Sequence, residues 1–309
     1  MTRDAARVDV DRASATTILQ PGRNCWRVGR ADRFSSIQDA AGYLRLVRQA
    51  LLAARETVFI LGWDTTASVD LDPGAAPDGA PTRLDRLLRH VARKRPRLRC
   101  YILTWDYGSL YTLERDPFTR WRLGWATPAN VRFGFDDRHP VGASHHQKIV
   151  VVDDQLAFCG GVDLTVHRWD TSEHRLEEPA RVTPLGKAYG PYHEVQAMLS
   201  GAAAASLGVL ARDRWRVLGT GRLPRVGTDA HDLWPAAITP DLTDVDVAIS
   251  RTMPGSEAQP AVRECEALFL DSIAAARRAM YIESQYFTND VIGRALAARL
   301  REPDGPEVV

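Results

Sequence analysis

Two histidines and a lysine precede a very apolar run in the segment SHHQKIVVVDD (144–154). Side chains two positions apart in a strand project to the same face, so His146 and Lys148 are expected to face one cleft, whereas His145 has the opposite parity. A neutral imidazole beside an ammonium group suits attack on a phosphodiester, because the lysine neutralises the non-bridging oxygens while the histidine accepts the phosphoryl group. An isolated His-x-Lys pair is more often a partly exposed surface pair, so this spacing alone leaves both interpretations open.

Three residues beyond the apolar run extend the candidate site. Gly160 and Gly161 lack a Cβ and are expected to let the backbone approach a phosphate closely, and Asp163 follows them as a supporting residue. Asp153 completes a His-x-Lys-x4-Asp pattern and is counted with His146 and Lys148 among the catalytic candidates. Its place at the far end of the run nevertheless favours anchoring of the next turn over contact with a substrate.

The elements that must position these residues alternate between helices and strands. This order predicts an α/β fold with a mixed, mostly parallel sheet flanked by helices. Trp63 and Trp105 close two of the strands, and packing is favoured over lining of the cleft for both. The stretch 195–211 predicts a strand end followed by a helix rather than a membrane span. The remaining predictions are an irregular lead-in at 1–35, helices at 37–55 and 83–95, and strands at 57–64, 98–106, 131–136, 146–153 and 155–161.

A change of composition and a recurring pattern suggest two halves. Gly, Pro, Thr and Asp without periodicity predict a connector at 221–259. The helix end and strand near residue 55 recur near residue 277, which predicts a duplication with a first half at 36–220 and the start of a second half at 260–309. Two unrelated helix–strand pairs are the alternative. Because the second copy stops at Val309 within an expected strand, the chain is interpreted as a fragment.

The overall composition restricts the classes of function. Forty basic and 39 acidic residues give no strong field to attract nucleic acid, which argues against a nonspecific nuclease. The four cysteines lie far apart, no compact set of metal ligands stands out along the chain, and no metal or other cofactor is expected. The charged N-terminus lacks the apolar core of a signal peptide. A cytoplasmic or peripheral membrane location is expected, and export without a signal peptide stays open.

The segment HHQKIVVVDDQLAFCGGVDLTVHRWD (145–170) resembles the first HKD motif of the phospholipase D superfamily. Its second part is most similar to the eukaryotic-type phospholipases D and their bacterial relatives. Other landmarks agree in order, and the resemblance runs from about residue 17 to the end of the chain. These landmarks are ILQPGRNCWRV (18–28), FILGWD (59–64), GPYHEVQAML (190–199) and YIESQYF (281–287).

The resemblance implies a site that two such halves build together across a pseudo-twofold axis. It makes His146 the nucleophile that forms a phosphohistidine and Lys148 the phosphate-binding residue. A histidine of the second half would protonate the leaving alcohol and then activate water, or an alcohol would replace the water. The sequence contains one His-x-Lys-x4-Asp pattern, so a second half or another copy is expected to complete the site.

Further site residues follow from the same resemblance. Where the family usually has His-Asp, this chain has His193 and Glu194, and Glu194 is expected to orient the histidine of the other half. Trp169 is expected in a loop over the cleft, in reach of a head group. Glu283 and Gln285 would face the shared site, although the pattern alone fits a strand cap equally well.

The expected function is hydrolysis or transphosphatidylation of glycerophospholipids such as phosphatidylcholine, with a phospholipid substrate and peripheral contact with a membrane. Three alternatives stay open. They are a cardiolipin synthase-type phosphatidyltransferase, a phosphodiesterase acting on nucleic acid, and a non-catalytic lipid-binding module.

Overall fold

A mixed sheet of eight strands forms the centre of the larger of two units. The computed structural model describes residues 18–74, 78–106, 118–140, 142–219, 223–224, 231–255, 260–284 and 286–309. The larger unit comprises Val28–Ile249 and Met253–Ala261, and the smaller one comprises Met1–Arg27, Ser250–Thr252 and Val262–Val309.

The strand order in this sheet is β4-β3-β2-β5-β6-β7-β1-β8. Strand β2 pairs parallel with β3, and β3 pairs parallel with β4. The pairs β2–β5, β5–β6, β6–β7 and β7–β1 are antiparallel. The strands are β1 (Arg27–Gln38), β2 (Thr57–Gly62), β3 (Arg99–Trp105), β4 (Val131–Asp136), β5 (Ile149–Val152), β6 (Leu156–Gly160), β7 (Val195–Gly201) and β8 (Leu242–Ile249).

Helices cover both faces of the sheet, which explains why every residue of β2 and β5 is buried. Helices α1 (Ala40–Ala53) and α2 (Leu84–Lys94) pack on the face that carries Val58 and Ile60. Helix α3 (Ala202–Arg216) packs on the opposite face, where Trp215 contacts the ring of Tyr101 edge-on. A short π-helical segment, Trp121–Trp125, precedes β4. The predicted α/β class with a mixed, helix-flanked sheet is therefore confirmed. The expectation that the sheet is mostly parallel is wrong, because four of the pairings given above are antiparallel and two are parallel.

Two regions differ from the sequence-based expectation. The lead-in predicted at 1–35 contains most of β1, and the helix predicted from residue 37 begins at Ala40. The alternating buried positions of β1 include Gly29, Ala31 and Ser35, and such small residues produce no hydrophobic periodicity. The connector expected at 221–259 contains β8, an edge strand of the sheet in which four residues are exposed and four are half-buried.

The smaller unit contains a second helix–strand alternation. Strand β11 (Ala279–Met280) pairs parallel with β12 (Glu307–Val308), as β2 pairs with β3. Helix α4 (Glu264–Ala275) precedes β11, and α5 (Asp290–Leu300) lies between the two strands. Two further short strands are β9 (Thr252–Met253) and β10 (Val262–Arg263).

The apolar stretch 195–211 forms β7 and the first part of α3, as predicted. None of the helices within the described residues combines the length and apolar character needed to cross a membrane.

Candidate active site

A tight turn joins β5 to β6 and fixes the hairpin that carries the HKD segment. Asp153 and Asp154 both have positive φ angles, 51° and 54°, and the Gln155 N–H donates to the carbonyl of Val152 at 3.0 Å. This combination is that of a type I′ hairpin turn, whose twist matches that of the flanking strands. Aspartate tolerates the left-handed region better than most residues, which suits both positions.

Asp153 lies at the opposite end of β5 from Lys148, where its side chain contacts the backbone. Its side chain is fully buried, and its carboxylate accepts hydrogen bonds from the backbone N–H groups of Arg55, Glu56 and Thr57 at 2.7–2.8 Å. These bonds tie the hairpin to the start of β2. Asp153 therefore lies apart from His146 and Lys148, the candidate reacting pair, and its contacts agree with the expected anchoring role.

Lys148 and Asp163 form a buried ion pair. Lys148 Nζ lies 3.0 Å from Asp163 Oδ2, and the two residues are 6% and 2% exposed. The other oxygen of Asp163 accepts hydrogen bonds from the backbone N–H groups of Trp63 and Asp64, directly after β2. Burial lowers the pKa of Lys148 and raises the pKa of Asp163, and each charge opposes the burial effect on its partner. Asp163 thus holds the ammonium group in place.

The His146 side chain lies beside this ion pair and is open to solvent. Its ring meets the Trp63 ring edge-on at a centroid distance of 5.7 Å, and Lys148 Nζ lies 5.9 Å from the centroid of the same indole. Partial burial of the imidazole and the positive charge of Lys148 lower the pKa of His146. The ring is consequently neutral near pH 7, as a nucleophile must be.

Trp63 contacts both His146 and Lys148, although packing was favoured over lining of the cleft for this residue. It also stacks on Trp105, with ring centroids 5.7 Å apart. The position of Trp63 immediately after β2 was the available signal, since sites in α/β proteins are often built at strand ends.

His145 projects away from His146 into a buried polar cluster. Its Nε2 lies 3.5 Å from Asp136 Oδ2 and 3.3 Å from the Arg138 carbonyl oxygen. Asp136 in turn accepts a hydrogen bond from Arg214. The separation of the two histidines agrees with the parity argument, although β5 itself begins only at Ile149, so the reacting pair lies just before the strand.

The two glycines make room for side chains at the start of the neighbouring strand β7. A Cβ at Gly161 would collide with the carboxylate of Glu194, and a Cβ at Gly160 would collide with Gln196. Glu194 is thereby brought close enough to Lys148 for its negative charge to raise the pKa of the lysine, against the larger effect of burial. Hence Gly161 gives Glu194 its place near Lys148.

The other expected site residues lie in separate surroundings. His193 turns away from Glu194, and its Nδ1 lies 2.7 Å from Asp39 Oδ1. Trp169 lines a cavity of about 250 Å³ together with Thr165 and Tyr189. In the smaller unit, Glu283 is exposed and accepts a hydrogen bond from the hydroxyl of Tyr281 at 2.5 Å. Gln285 lies outside the described residues.

Comparison with known proteins gives the family. No family model matches the chain. Phospholipase D zeta 1 of Arabidopsis thaliana is 32% identical over 155 residues, and human phospholipase D1 is 29% identical over 181 residues. These matches cover 49% and 53% of this chain. The solved structure of a phosphatidylserine synthase from Haemophilus influenzae has the same fold, with a TM-score of 0.57 at 13% identity over 91% of this chain and 62% of that one.

The chain belongs to the phospholipase D superfamily. It spans 14% of the Arabidopsis protein and 16% of the human protein. The resemblance to this superfamily, expected from the segment 145–170, is thus confirmed.

Proposed function

We propose that this superfamily member is a phospholipase D-type phosphodiesterase that cleaves the distal phosphodiester of glycerophospholipids such as phosphatidylcholine. The observation that carries the proposal is the pairing of an exposed, neutral His146 with Lys148, whose ammonium group is held by Asp163 at 3.0 Å. The similarity to phospholipases D of plant and human origin supports a phospholipid over other phosphodiesters.

In the proposed reaction, a ring nitrogen of His146 attacks the phosphorus of the lipid. The N–P bond forms as the P–O bond to the head-group alcohol breaks, and Lys148 stabilises the charge on the non-bridging oxygens. The departing alcohol takes a proton from a general acid. Water then attacks the phosphorus and gives a proton to the group that protonated the alcohol, while the N–P bond breaks and phosphatidic acid leaves. An alcohol in place of water gives a phosphatidyl alcohol.

The general acid in this proposal is a second histidine. The 309 residues contain a single His-x-Lys-x4-Asp pattern, so this histidine is assigned to another HKD segment of the protein or to a second copy of the chain. Glu194, held beside the lysine by the space above Gly161, is proposed to orient that histidine. Contact with a membrane surface would follow from the nature of the substrate.

The test measures choline release from phosphatidylcholine vesicles and, with ethanol present, formation of phosphatidylethanol. The chain is assayed alone over a range of concentrations and together with a segment that supplies a second HKD motif. If turnover per chain rises with protein concentration, two copies of the chain pair to complete the site. If turnover occurs only with the added segment, the second histidine comes from another HKD segment. Phosphate-labelled lipid should leave an acid-labile covalent label on the parent protein.

Two variants sharpen this test. His146→Ala should lose both the label and turnover, whereas His90→Ala on α2 should keep both. Absence of any lipid cleavage with retained binding to vesicles would establish the non-catalytic lipid-binding alternative. Cleavage of single-stranded DNA without cleavage of lipid would establish a nuclease instead.

A further inference from the structure

Two histidines and an aspartate converge in the larger unit, outside the reacting pair. Asp39 Oδ1 lies 2.7 Å from His193 Nδ1 and 3.5 Å from His174 Nε2. One ligand-type atom from each of the three residues lies within 4.8 Å of the other two. The function proposed above gives this cluster no part in the chemistry.

A buried carboxylate orients one of these imidazoles. His174 Nδ1 lies 3.1 Å from Asp170 Oδ2, and Asp170 is fully buried, with its other oxygen 2.9 Å from Arg181 Nη1. A carboxylate that binds an arginine accepts from Nδ1–H, so a neutral His174 directs the lone pair of Nε2 at Asp39. Carboxylate–histidine pairs of this type orient metal-binding histidines in proteins.

The donor set and its spacing fit a zinc ion. Two imidazole nitrogens and one carboxylate oxygen are common Zn²⁺ ligands, and bonds of about 2.0–2.1 Å in a tetrahedron place ligand atoms about 3.3 Å apart. The two distances from Asp39, 2.7 and 3.5 Å, lie on either side of that value. Exposure increases from Asp39 (2%) to His174 (33%) and His193 (55%), so an ion can enter from solvent and keep a fourth position open.

We propose that Asp39, His174 and His193 form a divalent-metal site for Zn²⁺. The site joins the loop after β6 and the start of β7 to the N-terminal end of α1. The backbone already links these parts, since the Asp39 N–H donates to the carbonyl oxygen of Glu194 at 2.8 Å. Bound metal would therefore restrain the segment that carries Glu194 to the candidate active site.

Calorimetric titration of Zn²⁺ into tag-free protein, after treatment with a chelator, tests this proposal directly. The expected result is one Zn²⁺ per chain and a melting temperature that rises with the Zn²⁺ concentration. His193→Ala and His174→Ala should weaken binding at least about 100-fold, and Asp170→Asn about 10- to 100-fold. His90→Ala should bind like the parent. Co²⁺ in place of Zn²⁺ should give the visible absorption of a tetrahedral site.

His193→Ala decides the outcome, because an exposed side chain can be removed without loss of folding, which circular dichroism verifies. Absence of Zn²⁺ binding to the parent protein would overturn the proposal. Undiminished binding to a folded His193→Ala protein would also overturn it and would assign the metal to other ligands. Because the readout is binding, loss of the proposed lipase activity has no bearing on this result.

Discussion

Replacement of Asp153 separates a structural role from a chemical one. In Asp153→Ala, the N–H groups of Arg55, Glu56 and Thr57 lose the carboxylate that accepts them. A hydrogen bond to a charged group contributes about 1.5–3 kcal/mol to the free energy of unfolding. Because the three bonds share one carboxylate, their joint contribution is smaller than the sum of three separate bonds. An alanine at this φ of 51° lies in the left-handed region, which destabilises the folded protein by a further 1–2 kcal/mol, about the usual cost per residue. The expected loss in free energy of unfolding is about 5 kcal/mol.

Asp153→Asn is the milder change. Its amide oxygen can retain the two bonds that Oδ1 accepts from Glu56 and Thr57, whereas its NH₂ group faces the N–H of Arg55. Asparagine also tolerates the left-handed region, so a loss of about 2 kcal/mol is expected. Asp154→Asn is the matched control, since this neighbouring turn residue is partly exposed and makes an ion pair with Arg212. Its amide oxygen can still accept the hydrogen bond from Arg212, so it should cost less than Asp153→Ala.

Urea denaturation measures the stability of each variant, and hydrogen exchange follows the three backbone amides directly. Exchange should accelerate at residues 55–57 in Asp153→Ala, while the protein that stays folded at low temperature keeps its turnover. If Asp153→Asn retained stability and amide protection but lost turnover, Asp153 would act in the reaction and the structural argument would be refuted.

Three further predictions concern the reacting pair and its surroundings. Because burial and Lys148 lower the pKa of His146, a pH–rate profile should show turnover falling on acidification only below about pH 6.5. A fall that begins above that value would contradict a neutral imidazole at pH 7. Asp163→Asn removes the counter-charge of the buried lysine, so the pKa of Lys148 should fall and the basic limb of the profile should move to lower pH. An unmoved limb would exclude Lys148 as the titrating group. Gly161→Ala should displace Glu194 and reduce turnover at least about 10-fold while the KM for lipid changes little, and unaltered turnover would remove Glu194 from the mechanism.

The helices and strands of this chain were largely readable from its periodicity, within a few residues at the ends. The helix α2 and the strands β2 to β4 lie where hydrophobic runs predicted them. Strand β1 was missed because its buried positions include glycine, alanine and serine, and β8 because none of its residues is fully buried. Long-range pairing, rather than a local hydrophobic pattern, makes these two segments strands.

The candidate site shows the same division between local pattern and tertiary contact. The parity of a strand separated His146 and Lys148 from His145, and the structure places His145 in its own buried cluster. Nothing in the spacing revealed that the carboxylate of Asp163 would bind Lys148, or that Gly161 would accommodate Glu194. Those contacts join the start of β5, the segment after β6 and the start of β7, which only the folded sheet brings together.

The sequence by itself determined the residue types of the reacting pair and the side of the chain on which both side chains project. It also determined the resemblance to the phospholipase D superfamily. The tertiary structure decided which groups surround the pair, because their partners are distant in sequence: Trp63 is 83 positions from His146, as the numbering shows (146 − 63). Local rules describe what a chain can do over a few residues. The charges and rings that hold a lysine in place and keep a histidine neutral depend on packing between strands, and no local pattern encodes that packing.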